Sequence, residues 1–192
     1  VDDNKIAHGS PAVVTTVVEK IEERFGKMTV TRGKEHVFLG MHITYLDNGT
    51  AEIRMKDYLE EALDEFGESI CKSATSPAKR DLFEISADSP PLDKTKAEIF
   101  HSVAAKLLYV SHRRRMDIQL AIAFLCTRAS CRTEQDWTKL KWLLEFLYGT
   151  LDDFRIIGAD NITKLKTWVD ASYAVHRDMK SNAGGVVSFG TG

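Results

Sequence analysis

The chain predicts an α+β fold, and three observations carry that reading. Apolar residues recur at helical spacing over 11–25 and again in three stretches between 94 and 148. β-branched and aromatic residues, punctuated by turn residues, dominate 28–55 and 154–190. Between them lies "SATSPAKRDLFEISADSPPLD", rich in Ser, Pro, Asp and Ala, where neither period survives, so 69–93 is expected to be a long loop or linker.

The first helix follows from Ser10 as cap, Pro11 in the first turn, and Val14, Val17, Val18, Ile21 and Phe25 on one face, with Gly26 as the stop. "MTVTRGKEHVFLGMHITYLDNGTAEIRM" then gives a short strand and a hairpin, punctuated by Arg32-Gly33 and Asp47-Asn48-Gly49, with "HVFLGMHI" placed in a strand. Asp57 is expected to cap a shorter helix whose stripe is Leu59, Ala62, Leu63 and Phe66, ending at Gly67. Beyond the loop come helices over 94–111, 117–129 and 134–148, the last capped by Thr133 and stopped by Gly149, packing as a small bundle. Trp137, Trp142 and Phe146 fall on helical spacing within it and read as core rather than as a base-stacking platform. "FRIIGA", "KLKTWVDASYA" and "GGVVSFG" read as strands of a new unit, the first two joined through Asp160-Asn161. Both ends read as cut from within a longer polypeptide, organised as 1–56, 57–150 and 151–192.

Composition narrows the function classes. A hydrophobic content of 43% over 192 residues suits a globular core, and a formal charge of −2 offers no global basic field, although 28% charged residues allow local patches. No apolar run reaches the length of a membrane span, and no secretory signal opens the chain, so a reduced, soluble compartment is the expectation. Cys71, Cys126 and Cys131 contain no C-x-x-C and read as idle thiols. The scattered histidines contain no H-E-x-x-H, and G-x-S-x-G, P-loop and G-x-G-x-x-G patterns are also absent.

Two features could carry chemistry. Adjacent carboxylates at Asp2 and Asp3 point to opposite faces on a straight strand, but at a hairpin tip they can both reach a hard cation such as Mg²⁺; a solvated acidic terminus is the alternative. His112, Arg113, Arg114 and Arg115 form a compact basic cluster between two helices, suited either to duplex phosphates or to the negative pole of a helix end. Lys27, Arg32 and Lys34 surround the hairpin and offer a second place for backbone phosphate.

"VDD" followed by a helix ending "FGKMTV", then "HVFLGMHI", resembles the C-terminal part of the palm of copia-type retrotransposon reverse transcriptases. "FHSVAAKLLYVSHRRRMDIQLAIAFL" is similar to that family's stretch around "LLY" and "RPDI", and "KLKWLLEFLYGT" to its "YLKGT"-type helix. "VDASYAVHRDMKSNAGGVVSFG" resembles the start of the RNase H domain of the same polyproteins. The resemblance implies a palm remainder over 1–56, a helical thumb and connection over 57–150 and the first strands of an RNase H-like domain over 151–192.

It further implies roles. Asp2 matches the first aspartate of the Tyr-x-Asp-Asp hairpin, which ligates the catalytic Mg²⁺, Asp3 the second, usually a supporting acid of that metal site, and Asp170 the first metal-binding acid of RNase H. Phe38, Leu39, Gly40 and Met41 match the primer grip, whose backbone holds the primer terminus, while Arg113, Arg114 and Arg115 would meet the template-primer. The parent reaction would be two-metal addition of deoxynucleotides on an RNA or DNA template, in a cytoplasmic particle or the nucleus, with no membrane partner. The tyrosine before Val1 and the family's earlier palm aspartate lie outside the chain, so on its own it is expected not to polymerise DNA. Ser172 and Tyr173 stand where an acid and a tryptophan are frequent, and Met116 where proline is. The rival expectation is a non-catalytic nucleic-acid-binding or degenerate retroelement remnant.

Overall fold

A computed structural model describes residues 3–174, 179 and 181–190. The fold is α+β, with helices α1 (Pro11–Phe25), α2 (Lys56–Phe66), α3 (Lys94–Arg113), α4 (Gln119–Thr127) and α5 (Glu134–Tyr148). Strands β1 (Glu35–Phe38), β2 (Met41–Tyr45), β3 (Ala51–Arg54) and β4 (Arg155–Ile157) form one antiparallel sheet in that order, and β5 (Lys166–Ser172) pairs with β6 (Asn182–Ser188).

The core is the bundle of α2 to α5. Phe66, Phe100, Leu107, Leu125, Leu140 and Leu144 are fully buried there, each contributing about 1.5–3 kcal/mol of hydrophobic stabilisation. Trp137 joins them, its ring stacked on Phe66 at 4.4 Å and its indole N–H donating to Glu68 at 2.7 Å. Helix starts follow local chemistry: Asp93 accepts from the backbone N–H of Lys96 at 2.9 Å at the head of α3. At the head of α5, the buried Asp136 carboxylate accepts from the backbone N–H of Thr133 at 2.9 Å. The observed α1 and α5 coincide with the predicted spans, and α3 runs two residues further than its predicted end at Ser111, to Arg113.

Several elements differ from the sequence expectation. Asp57 does not cap α2; it lies in the first turn and meets His42 at 3.0 Å, while Met55 takes the cap position. The helix predicted over 117–129 opens as a single tight turn, Met116–Ile118, before α4 begins. "HVFLGMHI" is two strands, because Leu39 (φ 52°) and Gly40 (φ 72°) both take the left-handed region and close a two-residue turn between β1 and β2. The strand over 155–157 does not pair with β5; it joins the free edge of β3, where Arg54 donates to the carbonyl of Asp152 at 3.0 Å and Lys56 pairs with the Asp152 carboxylate at 2.7 Å. Those contacts bring the chain leaving α5 alongside an edge whose backbone groups would otherwise lack partners.

The 69–93 segment is a strap over α5. Trp142 donates to the carbonyl of Ser76 at 2.9 Å, Ala74 to that of Glu145 at 3.3 Å, and Leu82 is buried in the core. Helix α1 is the reverse case, since none of its residues is buried and Phe25 is 75% exposed despite the apolar stripe. All three cysteines are free.

Two carboxylates on the bundle make stability depend on pH. The Lys141 ammonium, then the Trp137 N–H, hold Glu68 below its ordinary 4.5, and the Ser102 hydroxyl and Lys106 do the same for Glu65. Groups held low in the folded state stabilise it fully above their unfolded value, and that contribution is lost as pH falls through the folded value. Thermal stability is therefore expected to fall steadily below about pH 4.5, and Glu65→Gln with Glu68→Gln is expected to flatten that acid limb.

Candidate nucleic-acid interface

The turn between β1 and β2 is seated on the bundle by two tyrosines. Tyr109 on α3 donates its hydroxyl to the carbonyl of Leu39 at 2.8 Å, and its ring stacks on Tyr58 of α2 at 5.3 Å. Gly40 passes so close to Tyr58 that a Cβ there would sit 3.2 Å from the ring. Burial raises the Tyr58 phenol above its ordinary value. Gly40 thus meets two demands at once, a positive φ and a close approach. Gly40→Ala is expected to cost about 1–2 kcal/mol in a urea titration.

Arg113 also packs on Tyr109, its guanidinium 3.5 Å from the ring centroid. Ring and guanidinium stacked this way fix the plane of the cation while leaving N–H edges for an oxyanion. Leu39–Gly40, Tyr58, Tyr109 and Arg113 therefore form one continuous assembly across β1, β2, α2 and α3. Phe38 and Met41 flank the turn half-buried.

The three arginines after α3 begins to end are not one surface cluster. Arg115 is 3% exposed and committed internally: it grips Asp117 at 2.9 and 2.6 Å and donates to the carbonyl of Thr150 at 3.2 Å. Arg114 is 4% exposed, and none of its three guanidinium nitrogens has a hydrogen-bond partner. Only Arg113 is partly open. The physical cause is that α3 stops there, so consecutive side chains turn into different surroundings. Of the other basic residues near the hairpin, Arg32 ties to Thr15 of α1 at 3.1 Å and Lys34 pairs with Asp47, while Lys27 is exposed.

Asp2 lies outside the described residues. Asp3 is exposed, and Asp170 is exposed on β5 opposite Gly184. Among the described residues no three His, Cys, Asp or Glu side chains gather as a metal site. Ser172 ends β5 half-buried and Tyr173 is 89% exposed.

The chain is 23% identical over 189 residues to an uncharacterized mitochondrial protein of Arabidopsis thaliana, AtMg00810, an alignment covering 98% of this chain and 76% of that protein. No protein-family model matches the chain. No solved structure matches it. Among the described residues, no helix is long and apolar enough to cross a membrane.

Proposed function

We propose that this chain is a retroelement-derived segment of a copia-type reverse transcriptase whose retained capacity is to hold a nucleic-acid duplex. The observation that carries the reading is that its motif stretches meet in space. "FLG" touches "LLY" through the Leu39 carbonyl and the Tyr109 hydroxyl, and "RRRMDI" touches "LYGT" through Arg115 and the Thr150 carbonyl. Stretches that resemble one family at separate places in a chain gain weight when they build a single assembly. The similarity to the Arabidopsis protein supports the same view, because one alignment runs through all of these stretches.

In this reading Arg113, oriented by Tyr109, takes a backbone phosphate, and the Leu39–Gly40 turn with Phe38 and Met41 forms the neighbouring wall. Phosphate contacts of this kind position a duplex without reading its sequence. In the parent enzyme Asp2 and Asp3 would serve the polymerase metals and Asp170 the RNase H metals. The test is binding of an RNA/DNA hybrid to this chain by fluorescence anisotropy, with nucleotide incorporation followed in parallel. Sequence-independent binding that weakens steeply between about 50 and 200 mM salt is expected, with no incorporation. Binding that is absent at the low-salt end would overturn the proposal.

A further inference from the structure

Arg114 carries a positive charge into the protein and meets no acceptor. Its three nitrogens are buried and without hydrogen-bond partners, although a guanidinium has five N–H donors to satisfy. Its charged surroundings nearly cancel in pairs: Arg115 is held by Asp117, and Arg54 is engaged with Glu52 at 2.5 Å. Asp153 acts on Arg114 through space, and Asp152, itself paired with Lys56, feels Arg114 in return. Burial, then the neighbouring Arg115, pull the Arg114 guanidinium down to about 10, so it is still charged at neutral pH.

A buried, charged and unsatisfied guanidinium is costly, and it persists where something is gained by it. The turn over 150–154 passes beside it, fastened by Arg115 at the Thr150 carbonyl, by Arg54 at the Asp152 carbonyl and by Lys56 at the Asp152 carboxylate. The two fasteners at Asp152 are exposed polar contacts, the kind that open without disturbing an apolar core, while the buried Arg115 and Leu151, which packs against the core, anchor the start of the turn.

We propose that Arg114 is the receptor of a phosphate group, which enters when the exposed 152–154 part of the turn lifts and is gripped by the guanidinium as its first full set of acceptors. Phosphate suits the site because a fork of donors matches its oxygens and because the surrounding acids are already engaged, Asp153 apart. Asp153 is exposed and acts as the internal competitor. The site adds to the duplex reading a group that the surface contact of Arg113 does not use.

The experiment is thermal unfolding of the chain in inorganic phosphate, in acetate and in sodium chloride at equal ionic strength, with phosphate binding followed separately by ³¹P NMR. Phosphate is expected to raise Tm beyond the other two salts, and Arg114→Met to abolish that increment with a loss of roughly tenfold or more in phosphate affinity. Arg114→Met should also unfold no lower than the parent in chloride, since it removes a buried unpaired charge. Asp153→Asn should enlarge the phosphate increment. Equal Tm in phosphate and chloride would overturn the site, as would a phosphate increment that survives Arg114→Met or shrinks in Asp153→Asn. An acetate increment equal to that of phosphate would overturn the assignment to phosphate. Because the probe is free phosphate, failure here leaves duplex binding through Arg113 standing, and failure of duplex binding leaves this site standing.

Discussion

Asp136→Ala is expected to lower the unfolding free energy by about 3–5 kcal/mol, the range for breaking a buried ion pair from one side. In a chain of this size that corresponds to a fall in Tm of roughly 6–20 °C. The carboxylate is 1% exposed and accepts from three donors: the backbone N–H of Thr133 at 2.9 Å, the Thr133 hydroxyl at 3.1 Å, and the Arg128 Nε–H, shared between its two oxygens at 3.2 and 3.3 Å. One side chain thereby caps α5 and ties its head to the end of α4. Truncation leaves an N–H without its acceptor and Arg128, at 13% exposure, without its counter-charge. Asp136→Asn keeps an acceptor for Thr133 but loses the ion pair, so its loss should be clearly smaller. Circular dichroism melts of the two variants decide the matter; near-equal losses would put the effect on charge alone and remove the capping role.

Asp136 also shows what a sequence can and cannot reveal. Thr133 as cap and Gly149 as stop are local signals, and α5 has the span they predict, Glu134–Tyr148. The reach of Asp136 to Arg128 is a contact between elements, and no periodicity encodes it. The same divide runs through the sheet. The Asp47-Asn48-Gly49 turn was legible because Gly49 takes a positive φ and Asn48 accepts from Thr50, both short-range effects. Leu39-Gly40 was not, because leucine rarely takes φ 52°, and what holds it there is Tyr109, seventy residues further on in sequence. β4 was legible as a strand, but its partner was set by Arg54 and Lys56 capturing Asp152. At the candidate site the sequence brought Arg113, Arg114 and Arg115 together as one group. Their separation comes from the end of α3, where one turn sends three neighbours onto an aromatic face, into an unpaired interior position and into an internal ion pair.

That separation yields the second large effect, a division of labour between neighbouring arginines. Arg115→Ala removes a stem that is almost wholly buried, the double grip on Asp117 and the bond to Thr150, and is expected to cost about 2–4 kcal/mol. Asp117 is 44% exposed and can be solvated when released, which keeps the loss below that of Asp136→Ala. Arg113→Ala removes a half-exposed side chain whose main contact is the Tyr109 face, and should cost under about 1 kcal/mol of stability. Duplex binding should behave in the opposite way. With both variants held well below their transition temperatures, Arg113→Ala is expected to reduce the salt slope of hybrid binding by about one phosphate contact, and Arg115→Ala to leave it unchanged. A slope that falls in Arg115→Ala and stays constant in Arg113→Ala would reverse the assignment. It would mean that the internal ion pair opens on binding and that the cation stacked on Tyr109 serves only to seat the turn.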